Sequence, residues 1–412
     1  MVNIEQLFQY PEPDLDKFLS SVGDRTDYGT FNRKRYMTAY YLGSNFQDPS
    51  TTNINFKDAL LYSNTYEEYI KFINDPASKT MLEVRMGQKL LKINKNLKNV
   101  EWFLQELRSS KTIENVEVSS SDEYVQQLLY ILKSNTSVKS LLLFNQTNHE
   151  NVTYIVDFFR TNTRIVSFEL FSPSFNVDDV NKILVAISAN DVLTKLYLTF
   201  DMFDVNGILI ISNWLRKTKT LQFLRIFETK HTARRSDINH IFDALAINKS
   251  LKSLRLRNMG ITNITSLCSA LMINDTLEEL DIGSNLIRNV DCISNVLEHN
   301  RSLKIFSIFN NYIGSEGVEI ITNALKRNTT LTELNISTNE MGTTGINMII
   351  NFLDINTTIT DMDIDDKTID EKLERNKVRK EERRKEGIMI YLSLTSRGIN
   401  RDIIDEFIRF HV

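Results

Sequence analysis

The sequence predicts an α/β solenoid: a horseshoe with a parallel sheet on its concave side, helices on its convex side and helical caps at both ends. Three observations lead there. An apolar anchor recurs at Ile113, Val138, Ile165, Leu193, Leu221, Leu251, Leu277, Leu303, Leu331 and Ile359, spaced 25 to 30 residues apart. Each anchor is followed by apolar residues at +3 and +5, as in Leu277-Glu-Glu-Leu280-Asp-Ile282. Asn stands three residues before the anchor in eight of the ten copies, and Ser or Thr immediately before it in eight of ten.

Each part of the repeat has a physical reading. The alternation after the anchor is that of a strand with one buried face. A short loop and a helical stripe follow, as at Val318, Ile321, Ala324 and Leu325. The basic pair Lys326-Arg327 suits a helix C-terminus, and Asn328 is expected to close the helix in the left-handed conformation. The next strand begins three residues later, so the unit is strand, loop, helix, turn. One unit cannot cover its own apolar face. Stacking covers it, and buried aliphatic side chains contribute about 1.5–3 kcal/mol each before entropy is subtracted. Strands pack more closely than helices, so the stack curves with the strands inside.

The pattern resembles the leucine-rich-repeat family, in its ribonuclease-inhibitor-like class, and the resemblance spans residues 110–365. It implies a leucine-rich-repeat solenoid with about ten repeats. That family's second Asn, at +8 from the anchor, is present at Asn285, Asn311 and Asn339. Elsewhere the slot holds Ser121, Gln146, Pro173, Asp201, Thr229, Met259 and Lys367, so the array is expected to be most regular from Leu251 to Met362. Asn is abundant, at 41 of 412 residues. With the repeats, this composition also resembles repeat proteins of giant amoebal viruses such as mimivirus, which would place the chain in a host cell.

Three regions follow: a helical N-terminal cap or recruiting region at 1–108, the solenoid at 109–365, and a charged helix with a C-terminal helical cap at 366–412. Residues 1–108 hold four of the five prolines and eight of the fourteen tyrosines, with helices expected at 14–21, 57–74 and 98–108. A solenoid needs such a cap over its first repeat. Residues 366–386 read as a solvated helix laced with i,i+4 pairs. The stripe at Ile399, Ile403, Ile404, Phe407, Ile408 and Phe410 reads as a docked cap.

Composition narrows the function. With 49 basic and 53 acidic side chains the net charge is −4, which argues against a nucleic-acid-binding surface. The longest run without a charged residue, 258–274, is broken up by Asn, Ser and Thr, and the apolar uncharged run from Gly207 to Leu215 is about half of the roughly 20 residues a membrane span needs. The first residues carry no basic and apolar leader, so an intracellular, cytoplasmic location is expected. Cys268 and Cys292 are expected to be free, buried thiols in a reducing compartment. No phosphate-binding glycine loop, zinc-binding helix motif or nucleophile elbow occurs. His149-Glu150 lacks a second histidine. No catalytic residue, metal, cofactor or small-molecule substrate is therefore assigned.

The remaining candidate is the concave face, where the +2, +4 and +6 residues of each strand point. Tyr197, Phe223, Arg225, Phe227, Arg255 and Arg257 cluster in its middle, a composition typical of interaction hot spots. Acidic residues follow at Glu279 and Asp281 and again at Asp361, Asp363 and Asp365. The expectation is a non-enzymatic scaffold that binds a protein partner on this face. A substrate adaptor of a ubiquitin ligase, recruiting through residues 1–108, and a GTPase-activating protein are the alternatives.

Overall fold

The computed structural model describes residues 89–94, 104, 107–111, 113–119, 123–144, 149–172, 175–230 and 237–396. Among them, eleven parallel strands form one sheet in chain order. They are β1 (Lys89–Asn94), β2 (Ile113–Ser119), β3 (Ser140–Phe144), β4 (Ser167–Phe171), β5 (Lys195–Phe200), β6 (Phe223–Glu228), β7 (Ser253–Arg257), β8 (Glu279–Asp281), β9 (Ile305–Ser307), β10 (Glu333–Asn335) and β11 (Asp361–Met362). A helix follows each strand from β2 onward: α1 (Glu123–Leu132), α2 (Asn151–Thr161), α3 (Val177–Ser188), α4 (Val205–Leu215), α5 (Asn239–Ile247), α6 (Thr265–Leu271), α7 (Asp291–His299), α8 (Gly314–Leu325), α9 (Gly342–Ile355) and α10 (Lys367–Ser396).

The repeat unit is the one the sequence predicts. Nine of the ten anchors are buried, and Ile113 is half-buried at the first turn. The +3 residues form one row across ten strands: Val116, Leu141, Phe168, Leu196, Leu224, Leu254, Leu280, Phe306, Leu334 and Met362 stand opposite one another in sequence. A further buried apolar position recurs ten residues after the anchor, at Phe175, Phe203, Ile261, Ile287, Ile313 and Met341. One core cluster therefore runs without a break from Leu104 to Leu373.

The Asn before each anchor does not work as expected. Asn162, Asn248, Asn300 and Asn356 close their helices with extended backbone, at φ −86°, −71°, −68° and −77°. Their side chains carry the role instead. Asn274 Oδ1 accepts from the backbone N–H of Thr276 at 3.0 Å and of Leu277 at 2.8 Å. Its Nδ2 donates to the carbonyls of Leu245 at 2.8 Å and Asn248 at 3.0 Å, in the preceding repeat. A primary amide accepts and donates through one planar group, so it satisfies two buried turns at once. Asn135, Asn162, Asn190, Asn248, Asn300, Asn328 and Asn356 bridge in the same way. Where the sequence departs to Ser110 and Thr218, a hydroxyl takes over acceptance, from Ile113 N–H at 3.1 Å and Leu221 N–H at 3.4 Å.

Residues 251–362 carry a second ladder, from Asn285, Asn311 and Asn339. Asn311 Nδ2 donates to the carbonyl of Ile282 one repeat back at 3.1 Å and to Ile308 at 3.0 Å, while its Oδ1 accepts from Ile287 N–H at 3.0 Å. The residues just before these asparagines, Ser284, Asn310 and Thr338, have φ of 54°, 50° and 55°. The left-handed residue turns the chain out of the strand, and the three strands concerned, β8, β9 and β10, are three residues long.

The array ends on a substitute for the next repeat. In α10, Ile369 and Leu373 cover the last core residues. Asn376, fully buried, donates from Nδ2 to the carbonyls of Asn356 at 3.0 Å and Ile359 at 2.8 Å. Arg375 donates to the carbonyl of Leu353. An eleventh repeat would have offered one asparagine to Leu353 and Asn356; two side chains of a helix replace it. Beyond them, every residue from Lys377 to Glu386 is exposed, as expected of a solvated helix.

At the other end β1 pairs in parallel with β2, so the sheet starts within residues 1–108 and that region contributes a strand as well as helical residues at Leu104, Leu107 and Arg108. The helices expected at 14–21 and 57–74, and the stripe from Ile399 to Phe410, lie outside the described residues. One further expectation is corrected. Cys268 and Cys292 are joined in a disulfide, with Cα atoms 6.0 Å apart, rather than standing as free thiols. Their offsets in consecutive repeats set them on adjoining turns of α6 and α7, at a separation a disulfide spans.

Replacing Asn274 by Ala removes the side-chain partner of the Thr276 and Leu277 N–H groups and of the Leu245 carbonyl, and leaves the Asn248 carbonyl with the Thr276 hydroxyl at 3.5 Å. Urea unfolding is expected to show a loss of about 3 kcal/mol, given roughly 1–3 kcal/mol per unsatisfied buried group. An effect within 0.5 kcal/mol of zero (about the size of an ordinary surface substitution) would contradict the bridging role.

Candidate partner-binding face

All six residues singled out from the sequence fall on three adjacent strands. Across the ladder, Tyr197 of β5 stands opposite Arg225 of β6, which stands opposite Arg255 of β7. The neighbouring rows place Lys195 opposite Phe223, and Phe227 opposite Arg257. Tyr197, Phe223, Arg225, Phe227, Arg255 and Arg257 are all half-buried, since each projects from the outward pleat while its neighbours cover its stem. Lys195, outside the original six, joins them: its Nζ lies 5.0 Å from the centre of the Phe223 ring.

The three arginines differ in what holds them. Arg255 donates from Nε to Glu279 Oε1 at 2.5 Å, with Nη2 also 2.5 Å from that oxygen. Arg257 donates from Nε to Asp281 Oδ2 at 2.7 Å, with Nη2 at 2.6 Å. Both arginines reach diagonally, because Arg255 stands directly opposite Asp281 yet pairs with Glu279 two residues earlier. The Arg257–Asp281 pair is nearly dry, with side chains 11% and 4% exposed. Arg257 also stacks on Phe309, 4.9 Å from the ring centre. That ring lies so close to Gly283 that a Cβ there would come within 2.2 Å of it. Arg257 is thus fixed in place on the face by a carboxylate and a ring. Arg225 has no carboxylate partner among the described residues. Burial holds the Tyr197 hydroxyl above the ordinary tyrosine value, and Arg255 works against that rise.

Toward the C-terminal end the face turns acidic. Glu279, Ile305, Glu333 and Asp361 share one row. Partial burial first, then Asp361 and Glu279, raise the Glu333 carboxyl above the usual glutamate range. Asp363 accepts from Asn335 Nδ2 at 3.2 Å.

A family model described as Leucine Rich repeat matches residues 299–321 and 327–349. The fold is that of a leucine-rich-repeat solenoid, and the family match covers two of its repeats. A comparison with curated protein sequences finds no match. Among solved structures, the solenoid is similar to Leiomodin-1 actin-binding site 2, with 21% identity, a TM-score of 0.33, and coverage of 35% of this chain and 92% of that one. It is similar to the structure of the Rad7 and Elc1 complex in yeast, with 14% identity, a TM-score of 0.48, and coverage of 85% and 91%. It is also similar to the leucine-rich-repeat protein LegL7 from Legionella pneumophila, with 16% identity, a TM-score of 0.45, and coverage of 70% and 97%.

On the convex side of the solenoid, α2 and α3 flank an open groove lined by His149, Arg160, Asp179 and Lys182. His149 Nδ1 is 2.7 Å from the buried Asp179 Oδ2. Among the described residues no group of three His, Cys, Asp or Glu side chains could hold a metal ion, and no helix is long and apolar enough to cross a membrane.

The contrast between the arginines can be measured by chemical denaturation. Removing one partner of a buried ion pair leaves the other charge stranded, so Arg257→Ala is expected to cost about 3 kcal/mol. Arg225→Ala, which breaks no ion pair among the described residues, is expected to stay within about 0.5 kcal/mol of the parent. Equal losses would show that Arg225 is also structural.

Proposed function

We propose that this solenoid is a non-enzymatic scaffold that holds a protein partner against its concave face, with Tyr197, Phe223, Arg225, Phe227 and Arg255 in contact and Arg257 bracing them. One observation carries the reading: aromatic rings and an arginine without a carboxylate partner among the described residues occupy adjoining rows of one sheet. Half-buried aromatics beside arginine have the composition of the few residues that dominate binding energies. A hydrogen-bonded sheet presents them without further ordering on binding, which lowers the entropic cost of association. The strand-and-helix form of the repeat, with about 28 residues per unit, supports the ribonuclease-inhibitor-like class.

The test is affinity purification with the full chain from the cell that makes it. A triple substitution, Arg225→Ala, Phe227→Ala and Arg255→Ala, is expected to lose at least nine-tenths of the recovered partner while the circular dichroism spectrum is kept. A control at the exposed convex residues Tyr154 and Val185 is expected to change nothing. A partner retained by the triple variant would reject the concave face as the binding surface. Recovery of a ubiquitin-ligase subunit that depends on residues 1–108 would turn the reading toward an adaptor.

A further inference from the structure

The concave face holds two cations that the fold itself leaves unanswered. Arg255 and Arg257 are neutralised by Glu279 and Asp281. Arg225 and Lys195, on neighbouring strands, have no carboxylate partner among the described residues. Arg225 also stands directly opposite Arg255, and like charges facing each other across a ladder repel. Nothing in the packing requires that arrangement, because Arg225 points out of the sheet. An anion arriving from outside would relieve it.

The surroundings define what that anion belongs to. Phe223 and Phe227 flank Arg225 on its own strand, and Tyr197 stands opposite it with a phenolic O–H able to donate. These rings form apolar steps on either side of the charge, a surface suited to a chain that carries side chains of both kinds. A long polyanion is excluded by the neighbouring rows. If it continued along the sheet it would run onto Glu279, Glu333, Asp361 and Asp363, which are on the same concave side. Glu169 borders the basic field on the other side, opposite Tyr197. The basic window is therefore confined to β5 and β6, a width that takes one or two acidic side chains rather than a nucleic-acid backbone.

We propose that this window takes a short acidic peptide segment, whose aspartate or glutamate carboxylate pairs with Arg225 between Lys195 and the hydroxyl of Tyr197, with an apolar neighbour set against Phe223 or Phe227. The proposal rests on the reading that the concave face binds protein, and it names the partner's chemistry. A guanidinium meeting a carboxylate makes charge-assisted hydrogen bonds, the stronger kind, and the half-buried setting limits their screening by salt.

The test is selection of random twelve-residue peptides on the full chain, followed by fluorescence anisotropy with the recovered peptides. The recovered sequences are expected to be enriched in Asp and Glu beside an apolar residue. Arg225→Glu is expected to weaken them at least tenfold, and exchanging the peptide's key Glu for Lys is expected to restore binding to that variant. The variant's fold is checked by its melting curve, and Arg225→Gln gives a neutral second substitution expected to weaken binding by an intermediate factor. A selection that returns no binder, peptides that are neutral or basic, binding indifferent to Arg225, or displacement of the peptide by an oligouridine RNA would overturn the proposal. Neutral or basic peptides that still lost binding in the triple variant of Arg225, Phe227 and Arg255 would overturn it alone and leave the scaffold reading standing.

Discussion

Everything in this fold depends on one constraint: a buried turn must satisfy its backbone hydrogen bonds, and here a side-chain amide from the next repeat does it. Each solenoid unit ends a helix and starts the next strand after five to seven residues, and the asparagine and the anchor in that turn are buried. The asparagine before the anchor accepts from two N–H groups of its own turn and donates to carbonyls one repeat back. The bridge does more than complete the turn. It sets the offset between consecutive repeats, so the strands that follow enter the sheet in a common register. The unbroken row of +3 residues from Val116 to Met362 is a consequence.

Register then determines what the concave face can present. Because outward residues line up in rows, charges and rings on successive strands become neighbours whatever their distance in sequence. The diagonal reach of Arg255 and Arg257 to Glu279 and Asp281 neutralises one side of the basic patch and leaves Arg225 and Lys195 open. The same register gathers Glu279, Glu333 and Asp361 into one row, and their mutual repulsion together with partial burial shifts the Glu333 carboxyl upward. The face is thus polarised along its length by sequence, and held rigid by the ladders beneath it.

Much of this was legible from residue spacing, and the misses have physical causes. The anchors, the strand alternation, the helix after each loop and the regular stretch from Leu251 to Met362 all follow from periodicity, which reports burial directly. The location of the turn asparagine was legible, but its role was not: the left-handed backbone expected there occurs elsewhere, at Ser284, Asn310 and Thr338. The expectation came from propensity, which describes a residue alone, whereas the role comes from contacts about 28 residues away in sequence. Arg375 and Asn376 escaped notice for a related reason, since a cap that imitates a repeat does not share its spacing. The apolar position at +10 was available to the same counting that found the anchors. The pairing of Cys268 with Cys292 depends on which turns of α6 and α7 touch, which spacing alone does not specify. At the candidate site, the six residues fall on neighbouring strands. Their different states, with Arg257 nearly dry and Arg225 without a carboxylate partner among the described residues, depend on diagonal reach and could be seen only in three dimensions.

The most direct measurement is hydrogen exchange at the anchor amides. The N–H groups of Leu251, Leu277, Leu303, Leu331 and Ile359 precede their strands and donate to asparagine Oδ1 at 2.7, 2.8, 2.9, 2.8 and 2.9 Å. If the side-chain ladder holds the stack together, these turn amides exchange as slowly as the strand amides of Leu254 and Leu280. Exchange at the rate of open loops, while the strands remained protected, would show that the repeats are joined by the sheet and core alone.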